Sequence, residues 1–379
     1  MSDKKKNIFI TRPTLPDIIE FNSFLEKIWE SKWLSNNGVF HNELEEKLKD
    51  YLNVNNITLA SNGTLALMIG LKSLDLKGEV ITTPFTYVAT AHAIEWLGLN
   101  PVFCDINEDD YNINPEKIEA LITENTSAIM PVHVYGNPCD HKSLNEICKK
   151  HNLKLIYDAA HCFDVLVDNQ SVLNWGDLSV LSFHATKVFN TIEGGAVVSN
   201  SINNKKKLDS LRNFGFNEKN EIVRSGINAK MNEIQAAFGL MQLKGYQKLR
   251  QKREKVYNRY IDGLSNINGI ILPELKNNVI SNYSYFPVRI TEDCIVNRDA
   301  IFDKLKSEKI YSRKYFYPLV SNMSPYKENP SSAEKSLPIA NEVSNQILCL
   351  PIYEDLKQEE QNRIIKLINE FSNEKQYTV

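Results

Sequence analysis

Lys187 stands in SFHATKVFNTIEGGAVV (182–198), between an apolar run that ends at Phe183 and a Glu193-Gly194-Gly195 turn into a second apolar run. An ammonium at the end of a buried strand is partly desolvated, and its pKa falls toward that of the neutral amine. A neutral amine is a nucleophile able to form a Schiff base with an aldehyde. A solvated loop lysine is the ordinary reading of such a residue; Ser182, His184 and the glycine turn around it favour the reactive one.

Neighbouring apolar runs also close on polar residues. Asp158 ends LKLIYDAAH, a run too apolar to hold a carboxylate unless a cation or several donors meet it. The N–H of a pyridinium ring suits that carboxylate, since an aspartate there keeps the ring nitrogen protonated and the ring an electron sink. Taken alone, Asp158 serves equally as a cap for the following turn. His161 is either a donor to a phenolic oxygen on the same ring or a packed core histidine. Ser61-Asn62-Gly63-Thr64 joins a strand end to a helix start, where Gly63 admits close backbone approach and the Thr64 hydroxyl with free N–H groups suits a phosphate. An ordinary helix cap has the same letters. Ser182 adds a hydroxyl from another strand end, and Tyr87 offers a ring face to a flat heterocycle or simply to the core. Together these residues make up a site for pyridoxal 5'-phosphate.

The elements that must position them follow from the apolar pattern. NITLA, EVITTPF, PVFCDI, SAIMPVHVY, LKLIYDAA and LSVLSF alternate with segments of helical length over Thr64–Leu74, Ala89–Leu97, Pro115–Ile122 and Lys142–Lys150. That alternation is the mark of parallel strands joined by crossover helices, an α/β sheet whose ligands bind at the carboxyl ends of its strands. Beyond residue 230 a long helical period links to a second unit: strand-like SYFPVRI, a helix over Arg298–Ser307, a tyrosine-rich loop YSRKYFYPL, strand-like ILCLPIY and an amphipathic helix over Gln358–Ser372. The division expected is a large α/β domain over 1–250, with an amino-terminal helical arm over 1–37, and a smaller α+β domain over 251–379.

The composition narrows the classes of partner. With 379 residues, 42% of them hydrophobic, and a net charge of -3, the chain has core for two domains and no basic excess for nucleic acid. Its start lacks the apolar stretch of a signal peptide and no segment approaches a membrane span, so a cytoplasmic protein is expected. The six cysteines, Cys104, Cys139, Cys148, Cys162, Cys294 and Cys349, include no Cys-x-x-Cys pair, which argues for reduced thiols without disulfides or a metal site.

Seven ordered stretches carry a family resemblance: SNGTLAL (61–67), TPFTYVATAHAI (83–94), PVFCDI (101–106), PVHVYGNPCD (131–140), YDAAH (157–161), SFHATK (182–187) with EGGAVV (193–198), and GINAKMNEIQAA (226–237). The chain resembles the pyridoxal-phosphate-dependent sugar aminotransferases of the DegT/DnrJ/EryC group over almost its whole length. The resemblance implies a fold-type I aminotransferase: a mostly parallel seven-stranded sheet sandwiched by helices, plus a smaller α+β carboxyl-terminal domain. It implies Lys187 as covalent anchor and proton shuttle, Asp158 against the pyridine nitrogen, His161 near the phenolic oxygen, Tyr87 on the ring, and Gly63, Thr64 and Ser182 at the phosphate. It also implies a homodimer in which Asn228 and Lys230 reach the neighbouring subunit's cofactor phosphate; Lys230 replaces the arginine of many members. Members with histidine at the anchor position are sugar dehydratases, so Lys187 points to transamination.

The stretches ESKWLSNNGVFH (30–41) and SRKYFYP (312–318) look like the viosamine-pathway members. Those convert dTDP-4-keto-6-deoxyglucose, with glutamate as donor, to dTDP-4-amino-4,6-dideoxyglucose for bacterial surface glycan such as O-antigen. Trp33, Asn36, Asn37, His184, Arg313 and Tyr317 are the expected sugar-nucleotide contacts, each with the alternative of a solvated or packed residue. Amination at carbon three, another nucleotide sugar, and a cofactor-binding module without catalysis are the competing readings.

Overall fold

The computed structural model describes residues 6–373. Two helices, α1 (Ile18–Ser31) and α2 (Val39–Tyr51), precede the alternating part. That part comprises β1 (Asn56–Ala60), α3 (Gly63–Ser73), β2 (Glu79–Thr82), α4 (Ala89–Trp96), β3 (Asn100–Phe103), β4 (Thr126–Met130), α5 (His141–His151) and β5 (Lys154–Asp158). A small hairpin, β6 (Leu166–Val167) and β7 (Gln170–Ser171), leads to β8 (Leu178–Ser182), β9 (Gly195–Ser199), α6 (Ile202–Leu211) and α7 (Glu233–Leu264). The carboxyl-terminal part holds β10 (Ile270–Ile271), β11 (Val279–Ile280), β12 (Phe286–Ile290), α8 (Arg298–Ser307), α9 (Pro338–Gln346), β13 (Ile347–Leu350) and α10 (Gln358–Asn373).

Seven strands form the main sheet in the order β1-β9-β8-β5-β4-β2-β3. Every pairing from β8 to β3 is parallel, while β9 runs antiparallel to both β8 and β1. The reversal at β9 has a local cause: the loop from Phe183 to Gly194 contains no helix to carry the chain back across the sheet, so the next strand returns beside the last. That loop carries Lys187.

Two expectations need correction. The segment over Pro115–Ile122 is not an α-helix but two single 3-10 turns, Pro115–Lys117 and Glu119–Leu121. Eight residues barely offset helix nucleation, and the Asn114 side chain already takes the Glu116 N–H, which favours the tighter turn. The amino-terminal arm is helical only from Ile18, because Pro13 and Pro16 hold their predecessors extended. Upstream of them Ile8 bridges to Ile310 in the carboxyl-terminal part. Residues 1–5 of that arm lie outside the described residues.

One helix serves two cores. The first half of α7 places Ala236, Ala237, Leu240 and Tyr246 under the sheet; its second half places Val256, Tyr257, Tyr260 and Leu264 against Phe286, Val288, Leu348 and Leu350. At the start of α7, Glu233 is 3% exposed and its carboxylate accepts the N–H groups of Phe40 at 2.9 Å and His41 at 2.8 Å. It thereby caps α2 from a distant point in the chain, and a Cβ on Gly38 would collide with it. Glu233→Ala strands these buried donors, so about 2 kcal/mol of stability is lost, read as a lower denaturant midpoint.

Among the described residues no helix is long and apolar enough to cross a membrane, and all six cysteines are buried free thiols.

Candidate active site

A cleft of about 650 Å³ opens at the carboxyl ends of the strands. Asn62, Gly63, Thr64, Thr86, Tyr87, Asp158, His161, Ser182, His184 and Lys187 line it, joined by Thr90, Tyr285, Tyr315 and Phe316. Residues from four separate strand ends, those of β1, β2, β5 and β8, meet there because the parallel alternation brings those ends to one edge of the sheet.

At the floor, Asp158 is buried and receives hydrogen bonds from neutral groups, the Thr90 hydroxyl at 2.8 Å and the Ala160 N–H at 3.1 Å. An ionised carboxylate only accepts, so Thr90 spends its proton on Asp158 and must itself accept from Thr86, 2.8 Å away. Burial raises the Asp158 pKa, against the opposing pull of Thr90, Ala160 and Lys187. A buried acid so held calls for a cationic partner such as a protonated ring nitrogen.

Burial also brings the Lys187 amine down to about 8, although Asp158 and Tyr87 work the other way. Its Nζ lies 3.5 Å from the Tyr285 hydroxyl. His161 is driven well below its ordinary pKa, first by burial and then by Lys187 and His133, so its ring is neutral. Its Nδ1 accepts the Tyr135 N–H at 3.2 Å, which leaves the ring proton on Nε2, 3.3 Å from the Tyr285 hydroxyl.

The upper end of the cleft is built for an anion. Asn62 caps α3 by accepting the Leu65 N–H at 2.8 Å, and the first-turn N–H groups of Gly63 and Thr64 have no carbonyl of the helix to reach. The hydroxyls of Thr64 and Ser182 stand beside them. Any side chain at Gly63 would bring its Cβ within 2.9 Å of the Ser182 Cβ and close the cradle. Tyr87, 63% exposed, stands at the mouth. His184 lies on the rim with Nδ1 2.7 Å from the Thr186 hydroxyl.

Other expected contacts lie elsewhere. Trp33, Asn36 and Asn37 are exposed on the connection between α1 and α2, with both asparagines at positive φ, and none lines this chain's cleft. The backbone of Arg313 pairs with Cys349, and the exposed residue is not among those lining the cleft; Tyr317 instead packs its ring under Arg298, 4.8 Å from the centroid. The same tyrosine-rich loop sends Tyr315 and Phe316 into the cleft in their place. Asn228 is exposed and Lys230 is buried against Asn213 at 2.8 Å and the Phe214 ring at 4.7 Å, both outside their own cleft. Sequence reasoning did not single out Thr90, Tyr285, Tyr315 or Phe316. Thr90 stands one helical turn after Thr86, a spacing that hints at a shared face, but nothing local marks Tyr285 among the sixteen tyrosines.

The chain is 46% identical to dTDP-4-amino-4,6-dideoxy-D-glucose transaminase of Shigella dysenteriae over 97% of its length and 99% of that protein. It is 46% identical to the protein of the same name from Escherichia coli over 96% of this chain and 98% of that one. The crystal structure of DesI in the presence of its TDP-sugar product superposes with a TM-score of 0.91 at 32% identity, covering 96% of this chain and 92% of that chain. A family model matches residues 17–369, spanning α1 to α10 and every residue of the cleft, and the chain therefore belongs to the DegT/DnrJ/EryC1/StrS aminotransferase family.

Proposed function

We propose that this protein transfers an amino group from L-glutamate to carbon four of dTDP-4-keto-6-deoxyglucose, using pyridoxal 5'-phosphate, to give dTDP-4-amino-4,6-dideoxyglucose for bacterial surface glycan such as O-antigen. The observation that carries the reading is the meeting, in one cleft, of a low-pKa lysine, a buried carboxylate with only neutral donors, and an anion cradle, in a chain 46% identical to transaminases named for that product.

The residues fit the cofactor. The cradle of Gly63, Thr64 and Ser182 suits its phosphate, and the Asp158 carboxylate suits its ring nitrogen. When bound, pyridoxal phosphate supplies an electron sink for charge left on a substrate carbon. Asp158 then keeps the ring nitrogen protonated, and its burial gains the counter-charge it lacks. Tyr87 screens the ring from solvent at the mouth. His161, neutral, would donate from Nε2 to the cofactor's phenolic oxygen; without the cofactor that nitrogen lies 3.3 Å from the Tyr285 hydroxyl. Lys187 is the amine that would hold the cofactor's aldehyde, and once free it would take a proton from one carbon and deliver it to another; an amine near pKa 8 can do both at neutral pH.

A homodimer with shared active sites belongs to the same proposal. Asn228 sits among the exposed apolar residues Ile222, Val223 and Ile227, a surface that a second copy would cover, which supports a role for Asn228 and Lys230 at the partner's phosphate. The free buried thiols suit the reducing cytoplasm.

Purified protein given L-glutamate and either the 3-keto or the 4-keto dTDP sugar tests the assignment, with the aminated carbon identified by NMR. Product from the 4-keto sugar is expected; product from the 3-keto sugar alone overturns it.

A further inference from the structure

We propose that Thr90 is a positioning residue: its hydroxyl, donated to Asp158, keeps the proton shared between that carboxylate and the cofactor's ring nitrogen on the nitrogen. The inference rests on the reading above in taking Asp158 as the partner of that nitrogen, and it adds the residue that decides which of the two holds the proton.

The contacts of Asp158 carry it. Its backbone is fixed from both sides of β5: its N–H donates to the Pro131 carbonyl at 2.9 Å, its carbonyl accepts the His133 N–H at 3.1 Å, and the next N–H, of Ala159, donates to the Val180 carbonyl at 2.8 Å. The side chain then meets one donor at each oxygen, the Thr90 hydroxyl at Oδ2 and the Ala160 N–H at Oδ1. Asp158, Thr90 and Thr86 are all buried. Burial pushes the Asp158 pKa up and so draws a shared proton toward the carboxylate; the two donors and the Lys187 charge oppose it. A hydroxyl donated to a carboxylate makes a bond roughly twice as strong as the neutral one available with the protonated acid. Thr90 therefore favours ionised Asp158, although its hydroxyl is free to turn and accept from the acid.

The placement follows from one turn of chain. Thr90 lies in the first turn of α4 and donates its N–H to the Tyr87 carbonyl at 3.2 Å, so the segment that sets Tyr87 at the mouth of the cleft also aims this hydroxyl at the floor. Thr86, from the loop after β2, stands 2.8 Å away and supplies the hydrogen bond that Thr90 accepts, which polarises the Thr90 O–H toward Asp158. The titratable groups facing Asp158 are the Lys187 amine, from the loop after β8, and the Cys162 thiol, from the turn after β5, with the neutral His161 ring on that same turn. Burial holds Cys162 as a thiol, and the neighbours of Asp158 in the sheet, Val132 and Val180, are apolar.

The test follows Asp158 in cofactor-free protein by infrared spectroscopy of its carboxyl band against pH, the band being assigned by its loss in Asp158→Asn. In Thr90→Val, which keeps the shape and loses the hydroxyl, the midpoint rises by about one pH unit, the tenfold difference between a charge-assisted and a neutral hydrogen bond. Thr90→Ser restores the wild-type midpoint, although it lacks the methyl group that a packing role would need. Circular dichroism and melting verify the fold of both variants. With pyridoxal phosphate labelled with ¹⁵N in its ring, the nitrogen resonance reports a protonated ring in wild type and Thr90→Ser, and moves toward that of neutral pyridine in Thr90→Val. Asp158 midpoints that coincide in wild type and Thr90→Val overturn the proposal, as does a ring-nitrogen resonance unmoved in that variant. A wild-type protein that aminates no keto sugar, with both shifts intact, strikes the proposed reaction and leaves the role of Thr90 standing; one that binds no pyridoxal phosphate strikes both.

Discussion

Lys187→Ala abolishes amino transfer, with turnover falling about 10⁴-fold, the loss typical of a group that serves as both nucleophile and proton carrier. The fold survives the change, because the side chain lies on a loop lining a cleft and its hydrogen bond, to the Tyr285 hydroxyl, is a long one of 3.5 Å. Borohydride fixes the cofactor to the wild-type chain and fails to do so in the variant, since among the described residues no other lysine lines the cleft. The alanine leaves room beside Asp158 and Tyr285 for a small amine, so added methylamine restores part of the proton transfer. Turnover unchanged in Lys187→Ala would remove the lysine from the mechanism and with it the proposed reaction.

Asp158→Asn separates two roles that one carboxylate combines. In the cofactor-free protein its ionised form is a liability: burial raises its folded pKa above the unfolded value, so the protonated form is favoured by folding and the penalty appears as pH rises through the folded pKa. A neutral amide escapes that penalty. The hydroxyl pair accommodates it by reversing, with the amide donating to Thr90 and Thr90 to Thr86, while the amide oxygen keeps the Ala160 N–H. The cofactor-free variant accordingly melts no lower than wild type at neutral pH. Cofactor binding weakens about thirty-fold, within the range for losing a charge-assisted hydrogen bond, and turnover falls further because the ring nitrogen is no longer held protonated. Titration of the visible absorption of bound cofactor reads the affinity. Wild-type affinity in this variant would show that Asp158 meets no ring nitrogen.

The fit between Asp158 and Thr90 illustrates how sequence and fold divide the information. Apolar runs of strand length, spaced by helical segments, dictate a parallel sheet, and a parallel sheet brings its strand ends to one edge. Asp158, His161, Ser182, Lys187, Thr64 and Tyr87 all stand just past such ends, which is why the sequence pointed to them before any coordinate did. Periodicity says which face of an element is buried. It does not say which loops meet.

Thr90 and Asp158 are 68 residues apart, Lys187 and Tyr285 98, and His161 and Tyr285 124. No local pattern encodes those pairings, because each depends on how the carboxyl-terminal part and α4 dock against the sheet. The tyrosine-rich loop shows the same limit: its likeness to the viosamine-pathway members gave Arg313 and Tyr317 as contacts, yet Tyr315 and Phe316 line this chain's cleft and Tyr317 packs on Arg298. By itself the sequence determined the sheet, the edge where chemistry occurs and the residues that close its strands, since these follow from the alternation of burial along the chain. Only the tertiary structure decided the donors around Asp158, the meeting of His161, Tyr285 and Lys187 and the membership of the far wall, since hydrogen-bond geometry is fixed by packing between segments distant in sequence.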